Sequence, residues 1–225
     1  MISLYQSVLL WHLSSYWFTS LAFMCLDYYW YKTNNLQYKI GGDLRHVPSN
    51  KKILKAFIIV LLNQALTVPL MYYISPYCID TTDYSLIVQC YRAPILLSIY
   101  IIFADQWFYW THRLLHYNRF MYRHVHYLHH EWTYPIAIRA VYAHPIEHYL
   151  ANIGTIVIGP LFFKPSHGVL CLWVVLATIN SVFAHCGTIL PFTDTSSHDL
   201  HHRYLNCNYG TMGLSDRIYK TQRTI

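Results

Sequence analysis

Five apolar runs set what this chain can fold into, at residues 7–30, 53–74, 94–110, 149–163 and 168–190. A helix needs about 20 mostly apolar residues to cross the hydrocarbon core of a bilayer. The first two runs reach that length despite His12, Asp27, Asn63 and Gln64. The third is shorter, starting at Pro94 and ending in Trp107, Phe108, Tyr109 and Trp110, which are read either as a substrate entrance or as an interfacial aromatic belt. The last two flank Lys164-Pro165-Ser166-His167-Gly168 and either span fully or form a hairpin. Only 12% of the 225 residues are charged, about half the roughly 25% usual in a soluble domain. The expected fold is all-α and integral to the membrane, with about four to five embedded helices and a cytosolic histidine-rich helical cap.

No Pro/Gly/Ser-rich linker divides the chain, so residues 1–225 read as one domain. The N-terminal run lacks a basic leader and a small-residue cleavage site, and reads as a retained anchor. The net charge of +6 does not point to nucleic acid, because the basic residues lie in the connections between apolar runs. There they act as topology signals. The 31–52 connection holds Lys32, Lys39, Arg45, Lys51 and Lys52 against Asp43, whereas 76–93 holds Arg92 against Asp80 and Asp83. The first is therefore expected in the cytosol and the second on the lumenal side. Threading onward returns 111–148 and 191–225 to the cytosol, both of them basic. Every histidine-rich segment then falls on one face of the membrane. Six cysteines include no Cys-x-x-Cys pair, and a Cys78–Cys90 disulfide stays open.

The chemistry lies in the 15 histidines. One polar segment holds His112-x-x-x-His116 and then His126-x-x-His129-His130, and another holds His198-x-x-His201-His202. Residues three and four apart share a helical face, so each box is expected to converge on one ion. Eight imidazoles exceed the needs of one tetrahedral zinc, whereas two six-coordinate irons offer about twelve positions. His185, His144, His148 and His124 are candidates for further ligands or for hydrogen bonding to them. Asp105 and Glu147 are candidates for a further ligand or for orienting an imidazole, and Asp199 and Glu131 either orient imidazoles or serve as plain surface or N-cap residues. No residue outside the metal centre is nominated as catalytic. Only two glutamates are present, neither in Glu-x-x-His, which excludes a carboxylate-rich di-iron bundle. No His-Glu-x-x-His or Gly-x-Gly-x-x-Gly occurs, so neither a zinc protease nor a bound nicotinamide or flavin is indicated.

At these residues the chain resembles the fatty acid hydroxylase/sterol desaturase superfamily, and within it the 4-methylsterol oxidases. The likeness covers about residues 30–220, with a histidine-box core of about 94–220. It rests on His112-Arg113-Leu114-Leu115-His116, His124-Val125-His126-Tyr127-Leu128-His129-His130-Glu131 and His198-Asp199-Leu200-His201-His202. Tyr142-Ala143-His144-Pro145-Ile146-Glu147 and Ala184-His185-Cys186-Gly187 point to the sterol branch. The resemblance implies a non-haem pair of iron ions on His112, His116, His126, His129, His130, His198, His201 and His202, with His185 close behind. It further implies dioxygen as co-substrate, the endoplasmic reticulum membrane, a cytosol-facing site, and electrons from a cytochrome b5-type carrier and its reductase. A fused haem-binding domain is not expected. The implied reaction is oxidation of a sterol 4-methyl group. Acyl hydroxylation, ring desaturation and a non-catalytic lipid-binding role are the alternatives. Ser215, where an aromatic is usual, and Lys220, where glycine is usual, depart from the pattern.

Overall fold

A computed structural model describes residues 3–40, 48–82, 84–189 and 195–224. Asp43, Arg45 and Asp83 lie outside the described residues. Among those described the chain is helical, with one isolated bridge between Lys39 and Thr188 and no strand. The long helices are α1 (Leu4–Lys32), α2 (Asn50–Ile74), α3 (Leu86–Tyr117) and α7 (His167–Cys186). All four are long and apolar enough to cross a membrane. Their outer faces carry large exposed apolar side chains, among them Phe18, Leu86 and Tyr91. A water-soluble monomer rarely tolerates so much exposed apolar surface, whereas lipid accepts it. The protein is a multi-pass membrane protein.

The third apolar run begins earlier than its sequence suggests. Ser85 caps α3 by accepting from the Val88 N–H at 3.4 Å, and Pro94 lies inside the helix. The Pro94 carbonyl accepts from Ser98 Oγ at 2.8 Å. Proline inside membrane helices is tolerated where neighbouring groups meet the freed backbone. The helix also runs past the aromatic cluster to Tyr117, so His112 and His116 stand on its final turns.

The fourth run is a broken helix. Short α5 (Pro145–Glu147) leads into one π-turn (His148–Ile153) and then α6 (Gly154–Phe162). Gly154 and Gly159 bring α6 close to α3, since an added Cβ would fall 2.5 Å from Trp107 and 2.6 Å from Tyr100. The 163–166 turn lies at the Asp80 end of the bundle. There Pro165 O accepts from Asp80 N at 2.7 Å, and Ser166 Oγ donates to Gln89 at 2.9 Å. Residues 145–186 thus form a hairpin between the histidine end and the opposite end of the bundle. α7 stops at Gly187 (φ +62°), where a side chain would strike Pro135 at 2.2 Å, and this fixes His185 on its last turn.

Two cations of the basic connections are buried. Lys39 is 4% exposed and donates to Asp27 and to the Cys186 carbonyl, each at 2.6 Å. Arg139 is 1% exposed. A buried cation persists only with partners, so each has a structural role within the fold as well as its place in a basic connection. Cys78 and Cys90 are free thiols.

Asp105 holds the C-terminal segment. Its carboxylate accepts from Met212 N and Ser215 N at 2.7 Å each and from Ser215 Oγ at 2.6 Å. Ser215, unusual at its position, thus makes a direct bond to α3. Lys220 adopts φ +57°, which explains the preference for glycine there. A left-handed non-glycine residue costs about 1–2 kcal/mol. Lys220→Gly is expected to raise stability by about 0.5–1 kcal/mol, after its entropic cost. Unfolding midpoints of the two proteins in one detergent check this, and a lowered midpoint would refute the assignment of strain.

Candidate metal centre

The nine histidines nominated from sequence meet in two adjacent groups. One contains His112, His116, His126, His130 and His201, and the other contains His129, His185, His198 and His202. Within each group one nitrogen per ring lies within 4.8 Å of all the others. Ligands bonded at about 2.0–2.1 Å to one ion are separated by about 4 Å at most, so the clustering matches the reach of a metal. The groups adjoin, with the His130 and His202 ring centroids 4.4 Å apart.

The grouping corrects one expectation. Neither His-x-x-His-His box converges on a single ion, because each is divided between the two groups. On α8 (Ser196–Tyr204) a residue four along is turned by about 40°, whereas one three along is turned about 60° the other way. His198 and His202 therefore face one group while His201 faces the other. The second box is not on an α-helix. α4 (Arg119–His124) ends before it, and His126–Leu128 forms a single 3-10 turn. His126 and His130 there enter the first group and His129 the second.

Backbone carbonyls decide which ring nitrogen is free. A carbonyl only accepts, so a nitrogen bonded to one carries the proton. Nδ1 of His112 donates to Tyr209 O at 2.9 Å, and that of His201 to Cys207 O at 2.7 Å. Nδ1 of His185 donates to Ser181 O at 2.8 Å, and that of His129 to Tyr142 O at 3.3 Å. Each of these rings turns its Nε2 lone pair inward. His126 and His116 bring Nε2 atoms within 2.8 Å, and His198 brings its own within 3.0 Å of both His185 and His202. His112 Nε2 is buried without a partner. Converging lone pairs and an orphaned ring nitrogen fit a bound cation, and an all-imidazole set suits iron, copper or zinc.

The carboxylates divide. Glu147 Oε2 lies 3.0 Å from His126 Nδ1, out of line for a hydrogen bond, and burial pushes its carboxyl well up. Glu131 receives Lys55 at 2.8 Å and the Tyr142 hydroxyl, steadying the residue whose carbonyl orients His129. Asp199 pairs with Arg203 at 2.7 Å. Asp105 faces the tail rather than the rings. His148 bonds Thr67 at 2.8 Å, His144 accepts from Ile146 N at 3.2 Å, and His124 is exposed beside Phe120, so none of the three joins a group.

Arg139 went unrecognised in the sequence. It donates to His129 O, Tyr134 O and His202 Nδ1, each at 3.0 Å, and so ties the two boxes together. No spacing marks it, because two of its three partners are backbone atoms.

Desolvation, reinforced by neighbouring imidazoles, holds His126, His129, His130, His198, His201 and His202 well below the ordinary 6.5. Unfolded, these rings bind protons near that pH, whereas folded they do not. The metal-free protein therefore has its full stability above about 6.5 and loses it as pH falls, by up to about 1.4 kcal/mol per unit for each ring. Melting of the metal-free protein at pH 7.5 and 5.5 should show a marked drop at the lower value. Equal melting points would contradict the burial of neutral rings.

A cavity of about 330 Å³ runs from His129, His185 and His198 down between the membrane helices, past Ile101, Ile156 and Trp173. Of the four clustered aromatics only Phe108 lines it. Trp107 bonds Leu150 O at 2.8 Å, Tyr109 is buried against Tyr219, and Trp110 packs beside Tyr219.

The fatty acid hydroxylase family model matches residues 97–221, a stretch that holds all nine rings. The chain is 40% identical over 126 residues to fatty acid hydroxylase domain-containing protein 2 of Homo sapiens, covering 56% of this chain and 38% of that protein. A fatty acid hydroxylase of Mycosarcoma maydis is 40% identical over 125 residues, 55% of this chain and 32% of its own. Methylsterol monooxygenase 2-2 of Arabidopsis thaliana is 38% identical over 140 residues, 56% of this chain and 52% of its own. The matches thus span about a third to a half of these relatives' lengths. No solved structure matches. From the family model and the stretch it covers, the chain belongs to the fatty acid hydroxylase family.

Proposed function

We propose that this protein is a dioxygen-dependent oxidoreductase that oxidises a membrane lipid at two histidine-bound iron ions, the substrate being a sterol methyl group at position 4. The observation that carries the reading is the pair of adjoining imidazole groups, the second of which opens through His129, His185 and His198 onto an apolar cavity among membrane helices. His112, His116, His126, His130 and His201 would hold one ion, and His129, His185, His198 and His202 the other. Bound iron would supply dioxygen reduction and the oxidant for an unactivated C–H bond. The chain orients the rings through the carbonyls of Tyr209, Cys207, Tyr142 and Ser181, and keeps water out by burying them. Glu147, buried 3.0 Å from His126 Nδ1, packs beside that ring without a hydrogen bond to it. Leu97, Ile101, Ile156 and Trp173 give the substrate an apolar path from the bilayer.

The sterol assignment rests on relatives named methylsterol monooxygenase, and acyl hydroxylation on those named fatty acid hydroxylase. Residues 1–225 are proposed to act as one unit with a core at about 94–220. Arg119, Arg123, Arg203 and Arg217 are exposed in the segments that carry the boxes. Their charge supports a cytosolic site in the endoplasmic reticulum membrane and an acidic electron donor of the cytochrome b5 type with its reductase. Purified protein, reconstituted with iron and a reductase chain, should convert a 4-methylsterol to its 4-hydroxymethyl product only when both dioxygen and reductant are present. Turnover without either one would overturn the proposal.

A further inference from the structure

The cavity wall carries a polar pair that the metal groups do not use. His12 on α1 is 6% exposed, and its Nδ1 lies 3.0 Å from the hydroxyl of Thr178 on α7. Both residues line the cavity, and His12 Nε2 is buried with no partner. Leaving such a group unsatisfied costs about 1–3 kcal/mol. Its neighbour His148 has no capacity left. The Thr67 hydroxyl donates to Asn63 O at 3.0 Å and so accepts from His148 Nε2, while Asn152 reaches His148 Nδ1 at 3.4 Å. His12 is therefore the ring left wanting a partner.

The chemistry of the pair selects that partner. If the Thr178 hydroxyl donates to Nδ1, then Nε2 carries a proton and needs an acceptor. If Nδ1 donates instead, Nε2 is a lone pair and needs a donor. A hydroxyl group satisfies either arrangement, whereas a ketone satisfies only the first and a hydrocarbon neither. The surrounding wall of Leu97, Ile101, Ile156 and Trp173 suits an otherwise apolar molecule. Distance supplies a second restriction. Thr178 precedes His185 by seven residues on one helix, or about 10 Å. That interval must hold a metal–ligand bond of about 2 Å, an approach of about 3–3.5 Å to the reacting carbon and a hydrogen bond of about 2.8 Å. Little length remains, so the anchored hydroxyl and the carbon attacked are near neighbours in the substrate.

We propose that His12 and Thr178 form a hydroxyl-binding subsite, which positions a hydroxylated lipid so that a carbon close to its hydroxyl faces the metal groups. This rests on the lipid-oxidation reading and narrows its substrate class. A 4-methylsterol has the required relation, since its methyl group is borne by the ring atom next to the hydroxyl-bearing one.

The test is equilibrium binding of tritiated 4α-methylcholestanol and of its 3-deoxy analogue 4α-methylcholestane to the full chain in nanodiscs, with no turnover required. The wild type should prefer the alcohol by about tenfold, the equivalent of one hydrogen bond of about 1.4 kcal/mol. In His12→Phe and Thr178→Val that preference should fall to about twofold or less, with binding of the deoxy compound unchanged. Metal content equal to wild type shows that a variant is folded, and the near-isosteric Thr178→Val stands by itself if His12→Phe fails to load. A preference that survives in the variants, or is missing from the wild type, overturns the subsite. Alcohol-selective binding without oxidation would leave the subsite standing and remove the reaction. Oxidation without selectivity would do the reverse.

Discussion

His201→Ala is expected to lower turnover by more than about 100-fold and to cut bound metal from about two ions per chain toward one. His198→Ala should do the same through the other group. Loss of a partner that merely orients a ligand already costs about 10–100-fold, so loss of a ligand should exceed that. The pair is informative because the two residues lie three apart on α8 yet face different groups. If each box served one ion, the two variants would empty the same position, and the double variant would keep the other ion. If each box is divided, the double variant should lose both. Metal counts on the three proteins, with circular dichroism to confirm retained helix, separate these outcomes. A double variant that retains a full ion would refute the division of the boxes.

The second large effect concerns stability. Asp105→Ala should destabilise the protein by about 3 kcal/mol or more. It strands the buried backbone N–H and hydroxyl of Ser215, each worth about 1–3 kcal/mol when left unpaired, together with the part-buried N–H of Met212. The consequence should also reach the metal centre. Asp216 accepts from Tyr209 N at 2.8 Å and Gly210 N at 2.7 Å, and the Tyr209 carbonyl holds His112. A loosened tail therefore releases the ring of the first box. Asp105→Asn, which keeps an acceptor, should lose roughly half as much. Unfolding midpoints and metal retention on dialysis check both variants, and an Asp105→Ala protein as stable as wild type would refute the role.

The sequence was most informative where chemistry and local spacing coincide. Nine histidines could be nominated because their boxes are rare, and long apolar runs mark helices whatever packs against them. How the boxes divide was hidden. Three- and four-residue spacings share a helical face only coarsely, and the 100° between neighbours separates His201 from His202. The α3 start was misplaced because Pro94 looks like an initiator, although a lipid-embedded helix accommodates it. The burial of Lys39 and Arg139 was hidden for one reason. A charged residue between apolar runs carries no mark of burial until its partners, here the Cys186 and His129 carbonyls, fold against it. Asp105 stands two turns before His112 on the same helix, which in sequence makes it a candidate imidazole partner. The residues it serves are 107 to 110 positions away.

The most direct test of the account is metal stoichiometry joined to X-ray absorption on protein purified after expression in iron-supplied cells. Two irons per chain with a first shell dominated by imidazole nitrogen is the predicted result. A single ion, or a shell of carboxylate oxygens, would contradict the two imidazole groups on which everything else depends.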